Sequence, residues 1–178
     1  MKKIFRLVIS LLGLLGFIAI LSSCSAKKKL IRKQKTEIKS TFKALKEALP
    51  EATISMEEKE RIRVVFKEKP LFDIGSDVVK PEFIPSLARM ARVLNQYQSL
   101  SVLVMGYTDT SGSAEYNRQL SWRRAENAKS ALLENKLENK RAFTWGFGSL
   151  NPTASNDTQK GRQENRRTEF VILFSEQR

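Results

Sequence analysis

Two side chains in the stretch GYTDTSGSAEYNRQLSWRRAENA, residues 106–128, are suited to polar chemistry: Asp109 and Arg124. The run reads as a loop entering a helix, so the orientation of Arg124 follows from helical geometry. Turning each residue by about 100° with Tyr116 at zero puts Leu120 near ~40°, Ala131 near ~60°, Ala128 near ~120° and Leu132 near ~160°. Arg124 falls near ~80° and Asn117 near ~100°, inside that apolar arc. Arg118, Arg123, Glu126 and Lys129 fall outside it. A guanidinium aimed at a core cannot shed its charge, and so requires an anion or an opening to water. Something anionic is expected to meet Arg124. The residues alone leave two readings open. Asp109 serves equally as a turn residue bonding its own loop, and Arg124 as an internal partner of Asp109.

Composition narrows what such a site can do. The 178 residues contain no histidine and one cysteine, which removes histidine-based triads, the usual zinc ligand sets and any intramolecular disulfide. Most hydrolytic chemistry goes with them, and no cofactor and no metal are expected. The length suits one ordinary domain plus targeting and linker segments. A net charge of +13 favours an anionic partner, and its location decides which one.

The N-terminus answers that. MKKIFR is a basic leader, and Leu7 to Leu21 is an apolar run of 15 residues, short of the roughly 20 needed to span a bilayer. Ser22, Ser23 and Cys24 follow, and LSSC resembles the lipobox of bacterial lipoprotein signal peptides. That resemblance implies cleavage before Cys24, acylation of Cys24 and, with Ser25 rather than aspartate next, sorting to the outer membrane. An exported chain does not meet nucleic acid, so the basic charge is read against membrane or cell-wall polymers. Residues 27–49 carry nine Lys or Arg against two Glu, more than half of the excess. Ile31, Ile38, Phe42, Leu45 and Leu49 give this segment an amphipathic helical stripe. It is expected to be a solvated helical tether; the rival reading is a helix that binds an envelope protein partner or lies on a membrane.

The elements that must position Asp109 and Arg124 come after Pro50. ATISMEE and RIRVVF alternate as a hairpin. A short extended piece is expected at Leu71–Asp73. A helix begins between Pro81 and Pro85 and runs to about Tyr97, burying Leu87, Met90, Ala91 and Leu94. SLSVLVMG is apolar on both faces, as a central strand is. Ser113 caps the next helix, which carries Glu115 in its first turn and runs to about Glu134. AFTWGFG and TEFVILF read as further strands, joined by a long polar connection with one helical turn. The domain boundaries read as 1–23 for the signal peptide, 24–50 for the lipidated cysteine and tether, and 51–178 for the folded domain.

Three separated runs now carry a resemblance. Gly106-Tyr107-Thr108-Asp109, Gly112, Tyr116-Asn117, Leu120-Ser121 and Arg124-Ala125 resemble the GxTDxxGxxxYNxxLSxxRA pattern of the OmpA-like peptidoglycan-binding family. LFDIGSDVVKPE upstream and GFGSLNPTASNDTQKGRQENRRTEF downstream resemble the same family's flanking segments, in the same order. Trp122 stands where polar residues are commoner in the family, and Pro85 is unusual. The resemblance implies an α+β fold: a βαβαβ-type mixed sheet with helices packed on one side, preceded here by the helical tether. It also implies a ligand, the meso-diaminopimelate of the peptidoglycan stem, whose free end is a zwitterion. Asp109 matches the position that receives its ammonium and Arg124 the one that receives its carboxylate. Phe72, Asp73, Thr110, Asn117 and Leu120 match positions near the ligand. Arg162, Arg166 and Arg167 are read as mainly structural or surface charges. The expected function is an outer-membrane lipoprotein, facing the periplasm, that binds peptidoglycan without covalent linkage. The rival is an envelope regulatory or assembly module that binds another protein.

Overall fold

The computed structural model describes residues 27–66 and 71–175. The chain divides into two compact units, Met1–Glu37 and Ile38–Arg178. The expected signal peptide and Cys24 lie outside the described residues. Residues 27–48 are helical and are called α1 here. In the first unit, α1 exposes its cations together with Leu30 and Ile31.

The second unit begins earlier than the sequence suggests. Ile38, Thr41, Leu45 and Leu49 are buried, with Leu45 and Leu49 at 0% exposure. The expected boundary after residue 50 thus falls inside the compact unit, and the apolar stripe from Ile38 onward packs within the domain's own core instead of lining a free tether. Each such buried Leu contributes about 1.5–3 kcal/mol. An outside partner could use only the 27–37 part of the stripe.

Five strands form one mixed sheet in the order β1-β2-β5-β3-β4. β1 (Thr53–Glu57) and β2 (Arg61–Val65) form the expected hairpin, joined by a short turn at Glu58–Glu60. β3 (Leu100–Gly106) lies between β5 (Thr168–Phe174), antiparallel, and β4 (Ala142–Gly146), parallel. The register fixes the two faces. Val64, Phe170 and Val104 align across three strands, and Ile62, Ile172, Val102 and Ala142 across four. These residues share one core with α1 (Ile38, Leu45), α2 (Ile84–Asn95; Leu87, Met90, Leu94) and α3 (Ala114–Glu134; Ala125, Ala128, Leu132). The neighbouring row, Glu169, Met105 and Trp145, faces the opposite side.

Both candidate prolines begin turns. Pro81 opens a short 3-10 turn, Pro81–Phe83, and Pro85 sits in the first turn of α2, where a missing N–H costs nothing. No strand forms at Leu71–Asp73; the chain there is a loop closed by the Lys80 N–H on the Leu71 carbonyl at 2.9 Å. The polar connection contains α4 (Gln159–Asn165), capped by Thr158.

Candidate functional site

The site is built where β3 ends. Gly106 is required there because a Cβ would lie 2.0 Å from the Ser121 carbonyl oxygen of α3, so strand and helix touch backbone to backbone. The chain beyond is fastened on both sides. Tyr107 N–H donates to Arg167 O at 3.0 Å and Thr108 N–H to Gly148 O at 2.8 Å. Asn117, buried on the apolar arc of α3 as the wheel predicts, donates to the Asp109 carbonyl at 3.3 Å and the Ser111 carbonyl at 2.9 Å. Ser113 caps α3 by accepting from Tyr116 N–H. Asp109 is thereby fixed at the strand exit.

The Asp109 carboxylate is buried and has two partners. One oxygen accepts from the Ser111 N–H at 2.8 Å, the turn bond open from sequence. The other meets Arg166 Nη1 at 2.5 Å. Burial by itself raises this carboxyl's pKa, but the hydrogen bonds from Arg166 and Ser111 outweigh it and hold the group below its ordinary value. Asp109 is therefore ionised at neutral pH.

Arg124 is 3% exposed, as its place on the apolar arc requires. It does not pair with Asp109. Its Nε donates to the Ser76 carbonyl at 2.8 Å and its Nη2 to the Asp73 carbonyl at 2.9 Å, while the Phe72 ring lies 5.4 Å from the guanidinium carbon. Arg123 and Asn127 pin the same loop through the Asp77 carboxylate and carbonyl, both at 2.7 Å. Among the described residues Arg124 makes no ion pair, and its Nη1 makes no hydrogen bond. Loss of water pulls its pKa below the ordinary value, and the guanidinium still stays charged. Two carbonyl dipoles and an aromatic face are weak compensation for a full buried charge.

Arg124 and Arg166 line one cleft of about 10 Å³, with Leu71, Phe72, Arg167 and Thr168. That is room for about one water. Of these three arginines, Arg166 is paired with Asp109 and Arg167 with Glu169, which leaves the charge of Arg124 in excess. The Thr108 hydroxyl, one residue before Asp109, is buried without a hydrogen-bond partner, as is Arg167 Nη1. Unsatisfied buried polar atoms are uncommon and suit a place kept for a ligand.

The other expected residues divide. Phe72 is buried beside the Arg124 guanidinium, and Leu120 is buried on α3. Thr110 joins it through its backbone, donating to the Asn156 side chain at 3.3 Å. Asp73 offers its carbonyl, while its carboxylate is 74% exposed and paired with Lys80 at 3.0 Å. Arg166 was not singled out from sequence as a site residue. Its position depends on Asn165, fully buried, which accepts from the Thr153 and Ala154 N–H groups and donates to the Ala154 carbonyl and the Asn156 side chain. This network shapes the polar connection and delivers Arg166 to Asp109. The NRR triplet in the sequence is the signal that points there.

Comparison with known proteins gives the family and the fold. The model of the OmpA family matches residues 71–166. The chain is 40% identical over 101 residues to the probable lipoprotein YiaD of Escherichia coli (strain K12), covering 57% of this chain and 46% of that one. Among solved structures it is similar to the cell wall anchor of the T6SS from Pseudomonas aeruginosa, at 28% identity and TM-score 0.62, covering 73% of this chain and 96% of that one. It is also similar to the peptidoglycan-associated lipoprotein from Burkholderia pseudomallei, at 27% identity and TM-score 0.55, covering 57% and 86%. The chain spans less than two thirds of the curated relatives it matches first.

Proposed function

Because the chain belongs to the OmpA family, we propose that it binds peptidoglycan non-covalently through the meso-diaminopimelate of the stem peptide. Asp109 receives the ammonium and Arg124 the carboxylate. The observation that carries this reading is the state of Arg124: a buried guanidinium, compensated by two carbonyls and a ring, with Nη1 unengaged beside an ionised Asp109. A zwitterion matches both needs. Its carboxylate supplies the counter-charge Arg124 lacks, and its ammonium shares Asp109, whose two oxygens offer about four acceptor positions. Arg166 holds the Asp109 carboxylate ionised and oriented until the ligand arrives.

In this reading the protein is an outer-membrane lipoprotein, acylated at Cys24, with its OmpA-like domain in the periplasm and no enzymatic activity. Charge-assisted hydrogen bonds worth about 1.5–3 kcal/mol each, after association costs, give affinity near the micromolar range. That suffices for a tethered protein facing a repeating polymer, since tethering raises the effective concentration. The names of the relatives, a lipoprotein and a cell wall anchor, support the placement. A second reading, an additional protein partner, is favoured by one observation, the exposed Leu30 and Ile31 on the basic part of α1. The test of the main reading is co-sedimentation of the full-length chain with purified sacculi. Retention in the pellet is expected, and a chain that stays in the supernatant refutes it.

A further inference from the structure

A second groove lies along β4, at the free edge of the sheet. It measures about 690 Å³, within the about 300–1,000 Å³ typical of ligand clefts. Trp122 of α3 and Trp145 of β4 line it, 52% and 60% exposed, with Leu150 at 66%. Exposed tryptophans in one groove are unusual for a solvated surface. Gly146 permits the arrangement: a Cβ there would lie 2.5 Å from the Trp122 backbone nitrogen, so α3 sits directly on the strand.

The polar lining is prearranged. Glu115 accepts from Arg118 at 2.5 Å and from Gln119 at 2.7 Å, which orients both side chains and cancels the one positive charge. In a chain of net charge +13, this groove carries no excess charge. It therefore suits a neutral ligand with flat apolar faces and a polar rim. An indole has the matching surface, an apolar ring face and an N–H donor.

The wall of the groove is fastened to the loop that carries Asp109. Its Gly148 accepts the Thr108 N–H. An aromatic row runs from Trp145 to Phe147 at 6.3 Å and on to Tyr107, stacked at 5.0 Å, whose ring carries Arg167 at 3.7 Å. We propose that this groove binds the glycan strand of peptidoglycan, its N-acetylated hexosamine rings stacking on Trp122 and Trp145. The inference rests on the stem-peptide reading, since a stem seated at Asp109 is covalently joined to such a strand.

The chain's two tryptophans both line the groove, so selectively excited tryptophan emission reports on this groove. The test titrates the full-length chain in detergent with peptide-free glycan strands, and separately with glycan-free stem peptide containing diaminopimelate. The glycan is expected to change the emission saturably, equally in wild type and Asp109→Ala. By calorimetry, Trp122→Ala and Trp145→Ala are each expected to weaken glycan binding about tenfold while stem-peptide binding is unchanged. Wild-type emission unmoved by saturating glycan overturns the proposal, whatever the variants do. Tryptophan-dependent self-association in sedimentation without a glycan response also overturns it, assigning the groove to a second copy. Stem-peptide binding in the same samples shows separately whether the underlying reading stands.

Discussion

Asp109 is held by Arg166 at 2.5 Å, across 57 residues of sequence, while Arg124, lining the same cleft as Arg166, meets no carboxylate among the described residues. The anion is already paired and the more deeply buried cation is not. This asymmetry orders the binding site. Asp109 is kept charged by an internal partner, and in the proposed binding mode Arg124 takes an external one.

Arg166→Ala removes the partner that holds the Asp109 pKa down, against the upward push of burial. A depressed carboxyl pKa contributes stability that is present above the unfolded value of about 3.9 and is lost as pH falls through the lower folded value. The variant is expected to lose about 1–3 kcal/mol at neutral pH and to show a flatter acid limb. Thermal melts across pH, with NMR titration of the Asp109 carboxyl, measure both. An unchanged acid limb contradicts the assignment.

The first half of α1 is separable from the fold and the second is not. Deleting residues 27–37 is expected to leave the thermal transition nearly in place, whereas Leu45→Ala, at a site with 0% exposure, costs about 2–5 kcal/mol. Chemical denaturation of the two variants decides whether the domain starts at Ile38.

Gly106→Ala drives a methyl group to 2.0 Å from the Ser121 carbonyl, a backbone atom that cannot yield without moving α3. Destabilisation of about 3 kcal/mol or more is expected from urea unfolding, the upper end for overpacking. A loss under about 1 kcal/mol would mean that strand and helix are not in backbone contact.

Cys24→Ala removes the only thiol in the chain. Membrane fractionation is expected to find this variant soluble or unprocessed. Normal outer-membrane fractionation would contradict acylation.

Much of the site was legible because it obeys a period. Asn117 and Arg124 lie on the buried arc of α3, and both are buried, because helical geometry fixes orientation from spacing alone. The central position of β3 followed from its two apolar faces. Arg166 was hidden because its meeting with Asp109 depends on the path of a polar connection, shaped by the buried Asn165 side chain rather than by any repeat. The part of Asp73 that meets Arg124 was not legible, because sequence position does not distinguish a carbonyl facing Arg124 from a carboxylate facing Lys80. The stripe in α1 reads the same whether its partner is its own core or another protein. Arg141 is a further example, buried at 3% and donating to the carbonyls of Leu94, Tyr97 and Leu100, where an apolar residue would be the default.

In the proposed binding mode Asp109 takes the ammonium of a zwitterion whose carboxylate meets Arg124. The most direct measurement is calorimetric binding of the full-length chain to diaminopimelate stem peptides with the side-chain amine free or acylated. Acylation is expected to cost about 2–5 kcal/mol, and Asp109→Ala is expected to bind the free and acylated peptides alike. Wild type binding the acylated peptide as tightly as the free one would contradict this binding mode, even with peptidoglycan binding itself intact.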